Sequence, residues 1–332
     1  MQIDVQTVNI EQKNQTFSHL KKRFGDKKIP SRYQEASYDL QAEENLHYRP
    51  TWAPEQELYD PNLSKIRMND WYDLKDPRQF YYSTYTLNRA KQQETMESNF
   101  KTVESLNLIE GMPDPVLAVA QDLLIPLRHA NYAANMNNTL VCGYGYGTVF
   151  TQPCVYHAMD NLGIAQYLSR LGLMIGDVES LEAAKQDWMD SDAWQPLRRS
   201  LEDLMCVRDP VEVFIKQNFV LDGLLYPLVY QRIVDQNLVE QGGSGISILT
   251  QFMTNWYLES KRWVDSVIKT MASESAENKA VLEEWIDSAA NHFTSVLLPV
   301  AGLAVAGNQA DELVSEAHDE LLQRAKKAGL FK

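Results

Sequence analysis

Apolar side chains recur at helical spacing through most of this chain, and no run of short alternating segments competes to build a sheet. From residue 76 onward the pattern predicts helices over about 80–107, 115–136, 138–172, 191–207, 211–239, 246–272, 276–298 and 308–328. Several far exceed the globular mean of about 11–12 residues. Three Asp-Pro pairs, Asp76-Pro77, Asp114-Pro115 and Asp209-Pro210, each join a side-chain acceptor to a proline suited to a first helical turn. They predict helix starts. Gly111 and Pro113, Gly172, Gly176 and Gly242-Gly243 predict stops. No heptad is sustained, so the expected fold is an all-α bundle, closed by an amphipathic tail that offers Leu313, Val314, Leu321 and Ala325.

Residues 1–75 read differently. Prolines at 30, 50, 54 and 61 interrupt them, and Tyr33, Tyr38, Tyr48, Trp52, Tyr59, Trp71 and Tyr72 follow neither a helical nor an alternating period. This predicts an extended N-terminal arm, 1–75, ahead of a helical domain, 76–332. Disordered segments are usually poor in aromatics, and exposed rings gain about 25 cal/mol per Å² on burial, so the arm is expected to dock. Two surfaces are open to it, the chain's own body or another subunit. For the second, Tyr33, Tyr38, Tyr48, Trp52 and Trp71 are the partner-facing candidates.

At 332 residues, with 44% hydrophobic and 23% charged positions, the chain can bury a large core. A formal charge of −14 and no cluster of Lys and Arg argue against nucleic acid and anionic membranes. The longest apolar stretch, about 296–307, holds Pro299 and two glycines and falls short of the roughly 20 residues of a membrane span. Cys142, Cys154 and Cys206 form no Cys-x-x-Cys pair and are expected to be buried thiols. The first residues carry neither a basic start nor an apolar run. A cytoplasmic protein is expected.

Local chemistry is sparse. Glu44-Asn45-Leu46-His47 has Glu-x-x-His spacing but lies in the arm without a second copy, and Gly143-Tyr144-Gly145-Tyr146-Gly147 lacks the Gly-Lys-Ser/Thr ending of a phosphate loop. The glycines predict a helix break or close helix packing. His129, His157, His292 and His318 stand apart from nucleophile or metal spacings and are expected to be structural. There is no nucleophile elbow or dinucleotide fingerprint.

Larger segments carry more. Arg23-Phe24-Gly25-Asp26, Ser31 to Asp39, Asp76 to Tyr82, Pro126 to Ala130, Asn135 to Asn138 and Gln217 to Tyr230 together make the chain resemble, nearly end to end, the β subunit of the hydroxylase component of bacterial multicomponent phenol hydroxylases. These are relatives of the toluene and methane monooxygenases. In the catalytic subunits of that family, segments similar to Asn131-Tyr132-Ala133-Ala134 and Met159 to Ile164 carry Glu before Tyr-Ala-Ala and an Asp-Glu-Leu-Arg-His run. The matching ligand positions here are Asn131, Asn161 and Ile164. The family's second Glu-x-x-His would fall on Glu259-Ser260-Lys261-Arg262, where arginine stands for the histidine, with Leu221 or Asp222 near the remaining carboxylate.

The resemblance implies a ferritin-like (ribonucleotide-reductase-like) bundle in which these five positions, Asn131, Asn161, Ile164, Glu259 and Arg262, are vestiges. No catalytic, cofactor-binding or metal residue is expected in this chain. It implies a catalytic α subunit that holds the diiron site, a small γ subunit, an (αβγ)2 assembly, a regulatory protein, and a separate reductase carrying FAD and a 2Fe-2S cluster. The implied reaction turns phenols into catechols with O₂ and NADH. Arg262 is expected to pair with Glu259, or a neighbouring carboxylate, inside the bundle. Two other readings stand beside this one: an iron enzyme in its own right, and a helical adaptor unrelated to oxygenases.

Overall fold

A computed structural model describes residues 15–331 except 27, 45, 50 and 52. Among the described residues nine long helical runs form the body: α1 (Tyr82–Ser105), α2 (Leu127–Tyr144), α3 (Thr148–Ile175), α4 (Val178–Asp190), α5 (Gln195–Met205), α6 (210–238), α7 (Ser244–Glu274), α8 (Ala276–Ala301) and α9 (Asn308–Lys327). A short helix, Asp114–Val119, precedes α2. Among the described residues there is no β-strand, and no helix is long and apolar enough to cross a membrane.

The boundaries follow from local chemistry. Asp209 caps α6 by accepting the Val211 and Glu212 amides at 2.9 and 3.2 Å, with Pro210 in the first turn as expected. Ser275 alone separates α7 from α8 and accepts the Asn278 amide at 3.0 Å. The expected single helix over 138–172 is divided between two helices. Its first residues belong to α2, and the chain reverses at Gly145–Gly147 before α3. A Cβ at Gly145 would sit 2.6 Å from the Val141 carbonyl, and Gly147 has φ +86°, so both glycines are required by this reversal.

Three other expectations are corrected. Asp76-Pro77 starts no helix: the Asp76 carboxylate takes the Arg78 amide at 2.9 Å and its guanidinium at 3.0 Å, a buried pair that fixes a tight turn closed by the Gln79 amide on the Asp76 carbonyl at 2.9 Å. Asp114 lies inside its short helix, one residue past the cap. Gly172 is interior to α3, and α4, whose start Asp177 caps, was not anticipated between 172 and 191.

Helix α6 is not uniform. Ile215–Leu221 and Pro227–Leu238 are wound as π-helix on either side of Asp222–Tyr226. An i→i+5 winding brings residues five apart onto one face, and Gln217 and Asp222 meet there at 2.9 Å. An aromatic seam joins α3, α6 and α7: Phe214 lies 5.1 Å from Phe150 and 5.4 Å from Trp263, and Tyr226 lies 5.0 Å from Trp256.

The described part of the arm is spent on this bundle. Arg23 holds Asp39 at 2.8 Å and pairs with Asp70, its guanidinium 4.9 Å from the Tyr72 ring centre. Tyr33 accepts the Asp76 amide at 3.0 Å, and Tyr38 stacks on Tyr72. Thr148 donates to the Ser37 carbonyl, and Asn278 exchanges hydrogen bonds with the Arg67 backbone. Tyr33, Tyr38 and Trp71 are thus covered by this chain itself and are not exposed as a partner surface, whereas Tyr48 is 55% exposed. Trp52 lies outside the described residues. Of the cysteines, Cys154 is buried, Cys142 is half-buried and Cys206 is exposed, which corrects the expectation of three buried thiols.

Phe214 sits where the seam crosses, fully buried. Phe214→Ala should lower unfolding free energy by about 3–5 kcal/mol through lost transfer and cavity terms. Denaturant melts would read this, and a loss under about 1 kcal/mol would mean the seam is not a packing centre.

Candidate functional site

Polar side chains are buried where α2, α3, α6 and α7 converge, and each must find partners inside the protein because water is excluded. Asn131, on α2, donates from its amide nitrogen to the Asn161 oxygen on α3 at 2.9 Å and to the Tyr226 hydroxyl on α6 at 3.0 Å. Asn161 donates back one turn to the His157 carbonyl at 2.9 Å. Ile164, one turn further, is fully buried. Two of the ligand-like positions therefore touch each other, and the third is filled with hydrocarbon.

A second group lies beside them. His157 Nε2 is 3.1 Å from an Asp222 oxygen, and the other Asp222 oxygen accepts from Gln217, which in turn accepts from Asn137 at 2.8 Å. With a carboxylate as acceptor, Nε2 carries the proton. The imidazole packs on Trp256 at 4.6 Å and Trp263 at 5.7 Å. Nothing near His157 in sequence announces Asp222, 65 residues away. The family position Leu221-or-Asp222 is the available signal; both are buried, and the one that meets this polar group is Asp222.

The third group is ionic. Arg89, on α1, forks onto Asp160 with Nε and Nη2 both at 2.7 Å, and reaches Glu259 on α7 at 2.8 and 3.1 Å. Asp160 also accepts from the Tyr85 hydroxyl at 2.8 Å and the Trp256 indole at 2.9 Å, so a buried carboxylate receives four donors. Arg78 approaches Glu259 at 3.5 Å. Burial acts to lower the Arg89 pKa, yet attraction to Asp160 and Glu259 raises it overall. Burial, reinforced by the Asp160 charge, raises Tyr85, and burial with Asp222 nearby raises Tyr226.

The expected Arg262–Glu259 pair is corrected. On α7 the inward register runs through Trp256, Ser260 and Trp263, with Glu259 at the margin toward α1; Arg262 is exposed. The cations that meet Glu259 are Arg89 and Arg78. They lie 170 and 181 residues before it in sequence, so helical spacing could not reveal them. Glu44 and His47 are both exposed and lie on no helix, which removes Glu-x-x-His as a ligand face.

The donor chemistry does not fit a diiron centre at the ligand-like positions. Neutral amides offset no metal charge, isoleucine has no lone pair, and both hydrogens of the Asn131 amide already have acceptors. His157 and Asp222 supply one imidazole and one carboxylate, short of the Glu and Glu-x-x-His sets on four helices that a dinuclear centre uses. Among the described residues no group of three or more His, Cys, Asp or Glu could hold a metal ion.

Asp160→Ala strips Arg89 of its main partner and orphans two further donors, so it should cost about 3–5 kcal/mol. Arg262→Ala should fall within about 0.5 kcal/mol, as at an ordinary surface site. Equal losses in denaturant titrations would refute the assignment of Arg89. Tyr226 and Tyr85 keep their protons in the fold above the unfolded tyrosine pKa of about 10, so the unfolded chain binds fewer protons there and stability falls as pH rises past 10. Absorbance at the tyrosinate band should show a fraction that ionises only on unfolding. A titration complete within the native state would contradict this burial.

Comparisons with known proteins agree with the architecture. The family model for methane/phenol/alkene hydroxylases matches residues 50–275. The oxygenase component DmpL of phenol 2-monooxygenase from Pseudomonas sp. (strain CF600) is 45% identical over 317 residues, 95% of each chain. The oxygenase component MhpL from Acinetobacter pittii (strain PHEA-2) is 43% identical, covering 99% of this chain and 98% of that one. The crystal structure of xenon-pressurized phenol hydroxylase from Pseudomonas sp. OX1 superposes with a TM-score of 0.91 at 42% identity, covering 99% of both chains. A chain of toluene 4-monooxygenase shares the fold at a TM-score of 0.73 and 19% identity, over 95% of this chain and 100% of that one. With an all-α, ferritin-like fold and end-to-end relatives among phenol monooxygenase oxygenase components, the chain belongs to the methane/phenol/alkene hydroxylase family.

Proposed function

We propose that this chain is the non-catalytic β subunit of a phenol hydroxylase complex, supporting a catalytic α subunit that carries the diiron site. The observation that carries the reading is the hydrogen-bonded Asn131–Asn161–Tyr226 cluster with Ile164 beside it, at positions where the family's catalytic subunits place ligands. The end-to-end similarity to oxygenase components of phenol 2-monooxygenase supplies the reaction class. In that reaction, phenol, O₂, NADH and a proton give catechol, NAD⁺ and water, one oxygen atom entering the ring. The electrons pass through a separate reductase with FAD and a 2Fe-2S cluster, and a regulatory protein modulates turnover.

On this reading the chain's chemistry is mechanical. Asp160, Arg89 and Glu259 tie α1, α3 and α7 together without a metal, which gives the α subunit a rigid body to assemble on, within an (αβγ)2 hydroxylase that includes the small γ subunit. Buried carboxylates left around an empty metal position would repel and be costly to desolvate; the amides of Asn131 and Asn161 and the hydrocarbon of Ile164 remove that cost.

Expression of the chain alone, and with its α and γ partners, tests this directly. Iron and phenol-dependent O₂ uptake should be found only in the assembled complex, the isolated chain containing less than about a tenth of an iron per molecule. Stoichiometric iron in the isolated chain would overturn the reading.

A further inference from the structure

Outside the bundle's centre, α7 and α9 leave a half-open groove of about 560 Å³ between them, to which Pro77 and Ala328 add apolar surface. Its volume lies in the range of small-molecule sites, and its lining is mainly apolar. Apart from Pro77 and Ala328 its apolar surface is the carbon of polar side chains, and the charges are unusual for a chain of net charge −14: Lys261, Arg262, Lys269, Arg324 and Lys327 against two carboxylates, Asp265 and Glu320. Both carboxylates are already matched. Asp265 takes Arg324 Nε at 2.5 Å, and Glu320 takes Arg232 at 3.1 Å and Lys261 at 3.5 Å. That leaves Arg262, Lys269 and Lys327 with no ion-pair partner among the described residues, three cations around one apolar groove.

Arg324 adds an independent observation. It is only 5% exposed, its Nη1 donates to the Phe219 carbonyl at 3.3 Å, and its guanidinium carbon lies 4.3 Å from the Phe219 ring centre. Its remaining terminal nitrogen, Nη2, is buried with no hydrogen-bond partner. Nη2 is shielded from the groove, so Arg324 acts on anything bound there through its charge, and an anion in the groove it lines would offset the surplus positive charge.

We propose that this groove binds a small amphipathic carboxylate, its apolar body on the floor formed by Pro77, Ala328 and the lysine stems, and its carboxylate between Arg262 and Lys269. Lys269 stands seven residues after Arg262, two helical turns along the same face of α7, so both can converge on one head group. This site is separate from the vestigial centre and does not depend on the subunit assignment above.

The probe is 2-naphthoate, compared with 2-naphthalenemethanol, which keeps the ring and loses the charge, and with inorganic phosphate, which keeps charge and loses the ring. Titration of the full-length chain by probe fluorescence should give saturable 1:1 binding of naphthoate, at least 10-fold tighter than either comparison compound and weakened by added salt. In the Arg262→Ala/Lys269→Ala double variant the affinity should drop at least 10-fold. Both side chains are exposed, and an unchanged melting curve would verify that the variant is folded. Equal affinity for the alcohol, an unchanged affinity in the folded double variant, or no saturation at millimolar probe would each overturn the proposal.

Discussion

A carboxylate buried between helices must be neutralised from within the protein, and in this chain that demand falls on Arg89. Asp160 and Glu259 come from different helices, and either one alone in an apolar interior would cost several kcal/mol. A single guanidinium, planar and permanently charged, reaches both with paired hydrogen bonds. Through that fork α1 is fixed against α3 and α7. Tyr85 and Trp256, which complete the coordination of Asp160, also belong to the aromatic packing of those helices, so the ionic and hydrophobic parts of the core share residues.

The amide cluster solves the same problem differently. Asn131, Asn161 and Tyr226 satisfy one another without any net charge, and Asn138 with Asn218 repeats the device through reciprocal bonds of 2.9 and 2.8 Å. Neutral groups escape most of the desolvation cost of ions, provided that every donor is met. His157 and Asp222 lie between the two solutions, and the π-wound turn of α6 is what brings Gln217 round to hold Asp222. That turn is a backbone feature with a side-chain purpose.

How far the sequence reveals this depends on range. Periodicity and the Asp209-Pro210 cap reveal the helical body, and the segments around Asn131 and Asn161 reveal the family, because those signals are local. The Arg89 fork is not local: its partners lie 71 and 170 residues away, and helical spacing offered Arg262 as a nearer but wrong partner for Glu259. A residue three positions on from a marginal site swings to the outer face, as Arg262 does. The arm misled in the same way. Its aromatics announce burial, but only the hydrogen bonds of Tyr33, Ser37 and Arg67 to the body show which surface covers them.

On the proposed subunit role, this bundle holds its centre together by protein groups alone, with no contribution from iron. Thermal melting of the full-length chain with added ferrous iron and with a strong chelator tests it most directly, since a ligand that binds only the folded state raises stability by RT ln(1 + [L]/Kd). Coincident melting curves are expected. A melting temperature raised by iron and lowered by the chelator would contradict it, and would place a metal among side chains that here hold one another.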